Sequence, residues 1–303
     1  MAIYGRDKID IFGVFVETIS FFCRKFGSLA GISLVFLLTV LTSSYFLQDR
    51  VALTGGFPRV DIPVIVRILI LAVSFLIIIW VKAALINATA AQYQGSHFAY
   101  SEMTKDVNGK YWRIFRAVVL LEVVLLIPAI YFPIIDNIID TVSGSTLTLL
   151  GLAAIGLFIY LYIKFTFVVP CAVLEDKNIA CFRISSRLVK GNFWRICAGL
   201  LAFGLIENAI PLILSYVISG RLAWVVTPPN TSVLIYNLSI NLGNQMAPAA
   251  MLSLQNVVLM AFNAFVIIPL EVAFITLLYL RSKEMVLERL AMDLSEDEET
   301  LQD

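Results

Sequence analysis

Five ionisable side chains stand inside long apolar runs, where a charge meets no water. Glu122 sits in Leu120-Leu-Glu-Val-Val124, Glu207 in Leu205-Ile-Glu-Asn208, and Glu271 directly after Pro269-Leu270, while Lys82 and Lys164 lie in two further runs. Each is about ten to thirteen residues from the basic end of its run, or about 15 to 20 Å along a helix. All five therefore fall in one layer near the midplane of a bilayer. A charge at that depth costs at least about 2.5 to 3.5 kcal/mol, which drives such groups into the bundle interior and into pairs. Two chemistries fit the layer. In the first, Lys82 and Lys164 neutralise two glutamates, the third carboxyl is protonated, and Asn87, Asn208 and Asn263 add hydrogen bonds between helices. In the second, the layer lines a path for a substrate or proton, and a glutamate changes charge as the bundle rocks. The first is the simpler, because a lysine near a helix end also snorkels to water.

No other pattern carries chemistry. The single histidine, His97, has no partner at a metal or nucleophile spacing. Cys23, Cys171, Cys181 and Cys197 contain no Cys-x-x-Cys and are read as reduced thiols on the cytoplasmic half. There is no phosphate-binding glycine loop and no Gly-x-Ser-x-Gly elbow. An enzyme is disfavoured, and no cofactor or metal is expected.

The elements that position the five charges follow from composition. The chain is 60% apolar and only 15% charged, with a mean hydropathy of +0.90; a soluble domain carries about 25% charged residues. It is expected to be an all-α polytopic membrane protein. Six stretches reach the ~20 residues that cross the hydrocarbon core: about 27–48, 63–92, 112–135, 146–174, 194–219 and 250–281. Pro63 suits a first helical turn; Pro128 and Pro133 are expected to kink or end the third span, Pro211 to interrupt the fifth and Pro269 the sixth. The first residues carry charges of both signs and no cleavable apolar core, so they do not read as a signal peptide. In residues 8–26, Ile9, Phe12, Val16, Ile19 and Phe22/Cys23 share one helical stripe. That stripe fits an interfacial helix or, alternatively, an extension of the first span.

Basic residues set the orientation. Arg6, Lys8, Arg24 and Lys25 precede the first span, Lys105, Lys110, Arg113 and Arg116 follow the second, and Lys177, Arg183, Arg187, Lys190 and Arg195 follow the fourth. Arg281, Lys283 and Arg289 follow the sixth, whereas the opposite side has only Arg50, Arg59, Arg67 and Arg221. Both termini are thereby predicted to be cytoplasmic. Net charge is zero, with 22 basic and 22 acidic residues, so no overall basic field points to nucleic acid.

The segment 170–196 is a basic island between apolar runs. It begins at Pro170, where the fourth span is expected to leave the bilayer, and it is read as a connector lying along the membrane surface. Arg183, Ser185, Ser186, Arg187, Lys190 and Arg195 are candidate contacts to anionic headgroups; the alternative is orientation charge plus helix packing. Trp112 and Trp194 are candidate interfacial anchors. Val107-Asn-Gly-Lys-Tyr-Trp-Arg-Ile114 matches Val189-Lys-Gly-Asn-Phe-Trp-Arg-Ile196 at an offset of 82 residues, which also sets Lys82 on Lys164. The spacing predicts three repeated units, each a surface helix followed by a two-helix hairpin, with Gly109 and Gly191 ending surface helices in left-handed caps.

The run Pro170-x-x-Val-Leu-Glu175-Asp-Lys, then Arg183-x-Ser185-Ser-Arg187-Leu and Lys190-Gly-Asn-x-Trp194, resembles the signature of a bacterial six-helix membrane-domain family. That family includes the membrane portion of certain glycerophosphodiester phosphodiesterases and stand-alone relatives. The resemblance implies six spans and an inner membrane, and a lipid connection for the Arg183 to Arg187 group. It does not imply phosphodiester hydrolysis, which in those relatives belongs to a separate soluble domain.

Residues 219–250 are read as a long external loop, and Asp293–Asp303, with six acidic and no basic residues, as a disordered cytoplasmic tail. The expected function is a non-enzymatic inner-membrane scaffold or accessory subunit in envelope or lipid homeostasis. Its partners would be membrane lipids and a protein at the cytoplasmic face. The alternative is a small transporter using the glutamates of the layer.

Overall fold

The computed structural model describes residues 9–47, 63–95, 100–138, 144–175, 179–219 and 254–300, and among them there is no strand. His97 and residues 220–250 of the external loop lie outside the described residues. Four helical segments are long and apolar enough to cross a membrane: Ile65–Tyr93, Leu152–Leu174, Phe193–Ile210 and Val258–Glu288. A bent pair, Ile11–Gly27 and Leu29–Ser43, makes a fifth if counted as one span. The chain is a helical membrane protein.

Helix α1 (Ile11–Leu47) starts where Asp10 Oδ1 accepts the amide of Gly13 at 3.0 Å, satisfying one orphan donor of the first turn. Its two parts meet at 84°, so the first part is set off from the apolar segment that follows, at the boundary the sequence indicates. Phe12, Val16, Ile19 and Cys23 are exposed along that first part, while Val14, Thr18 and Phe21 are buried. The predicted stripe thus faces outward, with Ile9 the exception: it is buried.

Helix α2 (Val64–Tyr93) begins after Pro63 and matches its predicted span to within a residue. Helix α3 (Tyr100–Ile138) departs from expectation, because the predicted surface helix and third span form one element. Gly109 is helical there, whereas Gly191 takes φ +92°. The cause is lateral bonding. Asn87 donates to Asp106 at 3.0 Å, Trp80 to Asn108 at 2.9 Å, and the Tyr111 hydroxyl to the Leu76 carbonyl at 2.8 Å. These bonds and the Lys110–Asp106 pair at 3.1 Å hold the turn around Gly109 helical against α2. Of these two glycines, Gly191 alone takes the left-handed backbone that favours a residue without Cβ. Pro128 and Pro133 lie within α3, which runs on to Ile138; membrane helices tolerate proline because neighbouring groups satisfy the freed carbonyls.

The predicted fourth span ends at Leu174 as one candidate membrane segment, but a two-residue turn interrupts its helix. Helix α4 (Gly144–Phe165) ends before Thr166 and Phe167, and a short helix α5 (Val168–Leu174) follows. Pro170 is buried in the first turn of α5, where no N–H is needed. Phe167, Val168, Cys171, Ala172 and Val173 are wholly buried, so α5 is central to the core. Helix α6 (Ala180–Val189) buries Cys181, Ser185, Leu188 and Val189 and exposes Arg183 and Arg187.

Helix α7 (Phe193–Ser219) passes through Pro211 without interruption. Helix α8 (Leu254–Phe262) joins α9 (Ile268–Thr300) through a π-helical segment, Asn263–Ile267. That wider turn lies just before Pro269, whose ring would clash with the carbonyl four residues back in a regular α-helix. Helix α9 continues to Thr300 through the acidic segment read as disordered. Extending a formed helix adds one residue at a time, and glutamate is a good helix former.

Polar contacts tie the basic rim together. Arg281 pairs with Glu17 of α1 at 3.2 Å and Glu284 at 3.5 Å, and its guanidinium lies 5.2 Å from the Tyr93 ring centroid. The Tyr93 hydroxyl donates to Glu284 at 2.7 Å, while Glu175 accepts from Tyr279 at 2.6 Å and pairs with Lys283 at 2.9 Å. One stretch of α9, residues 279–284, thus connects α1, α2 and the end of α5.

Candidate functional site

Ten residues before Arg281, about 15 Å along α9, the chain buries Glu271. Its exposure is 3%, and that of Glu207 on α7 is 5%. The two carboxylates line a cavity of about 420 Å³ that opens outward beside Leu201 and Leu205, which are 59% and 72% exposed. Its remaining wall is apolar and aromatic, with Phe158 and Tyr162 from α4, Phe203 from α7 and Phe274 from α9; Asn208 adds a side-chain amide, whose Nδ2 donates to the Gly204 carbonyl at 2.7 Å.

A second cavity of about 120 Å³ adjoins it. Lys82 of α2 and Glu122 of α3 line this one, together with Thr166, Thr276 and Pro170. Tyr162 and Ile275 face both cavities and form the wall between them. Lys82 lies within electrostatic reach of both Glu207 and Glu271, and the two carboxylates are within reach of each other. Four of the five predicted charges are therefore gathered around one pair of cavities.

Lys164 is not part of that group. It lies in the last turn of α4, with its ammonium 5.3 Å from the Tyr160 ring centroid and 5.6 Å from that of Phe165. The repeat offset equates it with Lys82, but α4 ends there and α2 continues for eleven residues beyond Lys82. The helix end places Lys164 among aromatic rings, where its charge is attracted to their faces. The predicted asparagine glue is realised at Asn87, which bonds across to α3. Asn208 bonds within its own helix, and Asn263 Oδ1 is buried without a hydrogen-bond partner.

The headgroup candidates divide. Arg183, Arg187 and Lys190 are exposed, and Ser186 is half-buried. Ser185 has 0% exposure, so it is no headgroup contact. Its hydroxyl donates to the Lys164 carbonyl at 2.9 Å and accepts the Phe167 amide at 3.2 Å, satisfying two backbone groups released by the α4–α5 break. Arg195 Nη1 donates to the Ile9 carbonyl at 3.3 Å, tying α7 to the start of α1. Trp112 and Trp194 are 66% and 79% exposed. Ser185→Ala is expected to cost about 1 to 3 kcal/mol, the penalty for leaving buried polar groups unmade. Arg183→Ala should stay within about 0.5 kcal/mol. Chemical unfolding of the two variants in detergent checks the contrast.

Sequence reasoning misses the cavity walls. Phe158 and Tyr162 stack with centroids 6.3 Å apart, and Phe203 and Phe274 with centroids 5.0 Å apart. Phe158 and Tyr162 do stand four residues apart on α4, a spacing that puts them on one helix face; the Phe203–Phe274 pair has no local signal.

No protein-family model matches the chain, and no significant match is found among curated proteins or solved structures.

Proposed function

We propose that this is a non-enzymatic protein of the bacterial inner membrane that carries a small solute or proton through its helical core. Of the scaffold and transporter readings, the geometry favours the transporter. The observation that carries it is the 420 Å³ cavity with two buried carboxylates on its wall. A purely structural charge layer is expected to close up around its ion pairs, since helix association in lipid depends on close packing. Here Glu207 and Glu271 border open space, with Lys82 and Glu122 on the adjoining cavity.

The architecture in this proposal has six spans, α3 being the sixth beside the five already described. It consists of three repeated units, with the first part of α1 and helix α6 as surface helices, and both termini are cytoplasmic. The basic residues around α6 and α9 support that orientation, and the likeness of residues 170–196 to the six-helix family supports the span number. Cys23 is the exposed cysteine, and Cys171, Cys181 and Cys197 are buried. A membrane-impermeant maleimide is thus expected to modify Cys23 in inside-out vesicles and to leave it unmodified in right-side-out ones.

Glu122, Glu207 and Glu271 replaced singly by Gln in cells that depend on the protein test the function. Loss of cellular function is expected for Glu207→Gln and Glu271→Gln while the protein level is unchanged. Full function in all three variants would return the site to a structural role.

A further inference from the structure

The composition of the larger cavity selects among solutes, and this selection rests on the transport reading. Its wall combines two carboxylates with the aromatic pairs Phe158–Tyr162 and Phe203–Phe274. Glu271 is buried and stands on the cavity wall, and its Oε1, shut off even from water, has no hydrogen-bond partner. A buried carboxylate oxygen left in that state is costly unless a cation or a proton meets it. A hard metal ion is poorly served here, because it takes six or more oxygen ligands. Among the described residues there is no group of three or more His, Cys, Asp or Glu side chains placed to hold one. Aromatic faces, by contrast, attract ammonium groups that have shed their water. A space of this size falls in the range of about 300 to 1,000 Å³ that holds small organic ligands.

We propose that the larger cavity binds a monovalent organic cation, a protonated amine or quaternary ammonium with an apolar or aromatic body. Its charge meets Glu207 and Glu271, and its body lies among Phe158, Tyr162 and Phe203, with Phe274 stacked behind Phe203. Glu207, Glu271 and Lys82, the three groups that act on one another, carry one net negative charge when all are ionised. A single proton balances it when the cavity is empty. The entering cation replaces that proton, which leaves to water, so the buried charge is unchanged. Among the described residues, the other titratable groups at the site are Tyr162 and Cys197 on the cavity wall and Glu122 on the adjoining one.

The test uses the full chain in detergent micelles, with benzyltrimethylammonium as the cation and neopentylbenzene, in which carbon replaces the nitrogen, as its neutral isostere. Titration calorimetry in two buffers of different ionisation enthalpy is expected to show binding with release of about one proton. The isostere should bind at least about tenfold more weakly. Glu271→Gln and Glu207→Gln should each weaken the cation at least about tenfold, Glu271→Asp by a few-fold only, and Phe158→Leu by several-fold. Equal affinity for cation and isostere, or full affinity in both Gln variants, overturns the proposal. If the Gln variants lose cellular function but the cation does not bind, the solute class is wrong and the transport reading stands. If the cation binds as described but both Gln variants keep full cellular function, the cation site is correct and the transport reading fails.

Discussion

A Lys82→Met chain is expected to lose about 3 kcal/mol of stability, and adding Glu271→Gln is expected to recover most of that loss. Lys82 provides the positive charge felt by both Glu207 and Glu271. Removing one partner of a contact-paired buried ion group costs about 3 to 5 kcal/mol, and Lys82, half-buried and acting on the carboxylates through space, falls at or below that range. The lower end applies because a stranded carboxylate can be neutralised by a proton. Glu271→Gln removes one of the two stranded carboxylates while keeping the shape of the side chain. The double variant should therefore lie within about 1 kcal/mol of the unaltered chain, giving a coupling energy of the size expected for groups in one network. Equilibrium unfolding of the four chains in mixed micelles measures it. Simple addition of the two single losses would mean that Lys82 does not balance Glu271.

Phe274→Ala is the second large effect, expected at about 3 to 5 kcal/mol. Phe274 is wholly buried, stacks on Phe203 at 5.0 Å and meets Phe15 of α1 edge-on at 6.2 Å. Phe15 in turn meets Phe203 at 6.2 Å, so three rings join α1, α7 and α9. Deleting Phe274 removes its dispersion contacts and enlarges the cavity it lines. Phe12, exposed at 77%, supplies the contrast, because Phe12→Ala creates no internal void. Thermal unfolding of the two variants should separate them widely; similar losses would place Phe274 outside the packed core.

The parts of the fold that were legible are those written as continuous apolar runs. The run 63–92 became α2 (Val64–Tyr93), and the run 194–219 became α7 (Phe193–Ser219), each within a residue. The break between α4 and α5 lies inside an uninterrupted apolar run, so hydropathy is blind to it. It depends on Ser185, distant in sequence, to receive the Phe167 amide and bond the Lys164 carbonyl. A signal for that role was present: Cys181, Ser185 and Leu188 share the i, i+4, i+7 spacing of a buried helix face. The serine's polarity drew it instead into the headgroup set.

The gathering of Lys82, Glu122, Glu207 and Glu271 was legible because charges in apolar helices must turn inward. The exclusion of Lys164 was not, since the sequence match at an offset of 82 residues gives both lysines the same address and the helix end at Phe165 separates them. Neither cavity was visible in advance. Empty volume is what packing leaves over, and here it depends on where Tyr162 and Ile275 stand between the two spaces.

Sided labelling of an Ile275→Cys chain, with Cys23 replaced by Ser, tests the transport site most directly. Ile275 faces both cavities, and the remaining cysteines are buried. A small, membrane-impermeant thiol reagent is expected to modify Ile275→Cys from the cytoplasmic face and, as the bundle changes state, from the opposite face as well, with benzyltrimethylammonium slowing both reactions. Failure to label from either face, while the denatured chain labels fully, would show a sealed core and contradict a transport site.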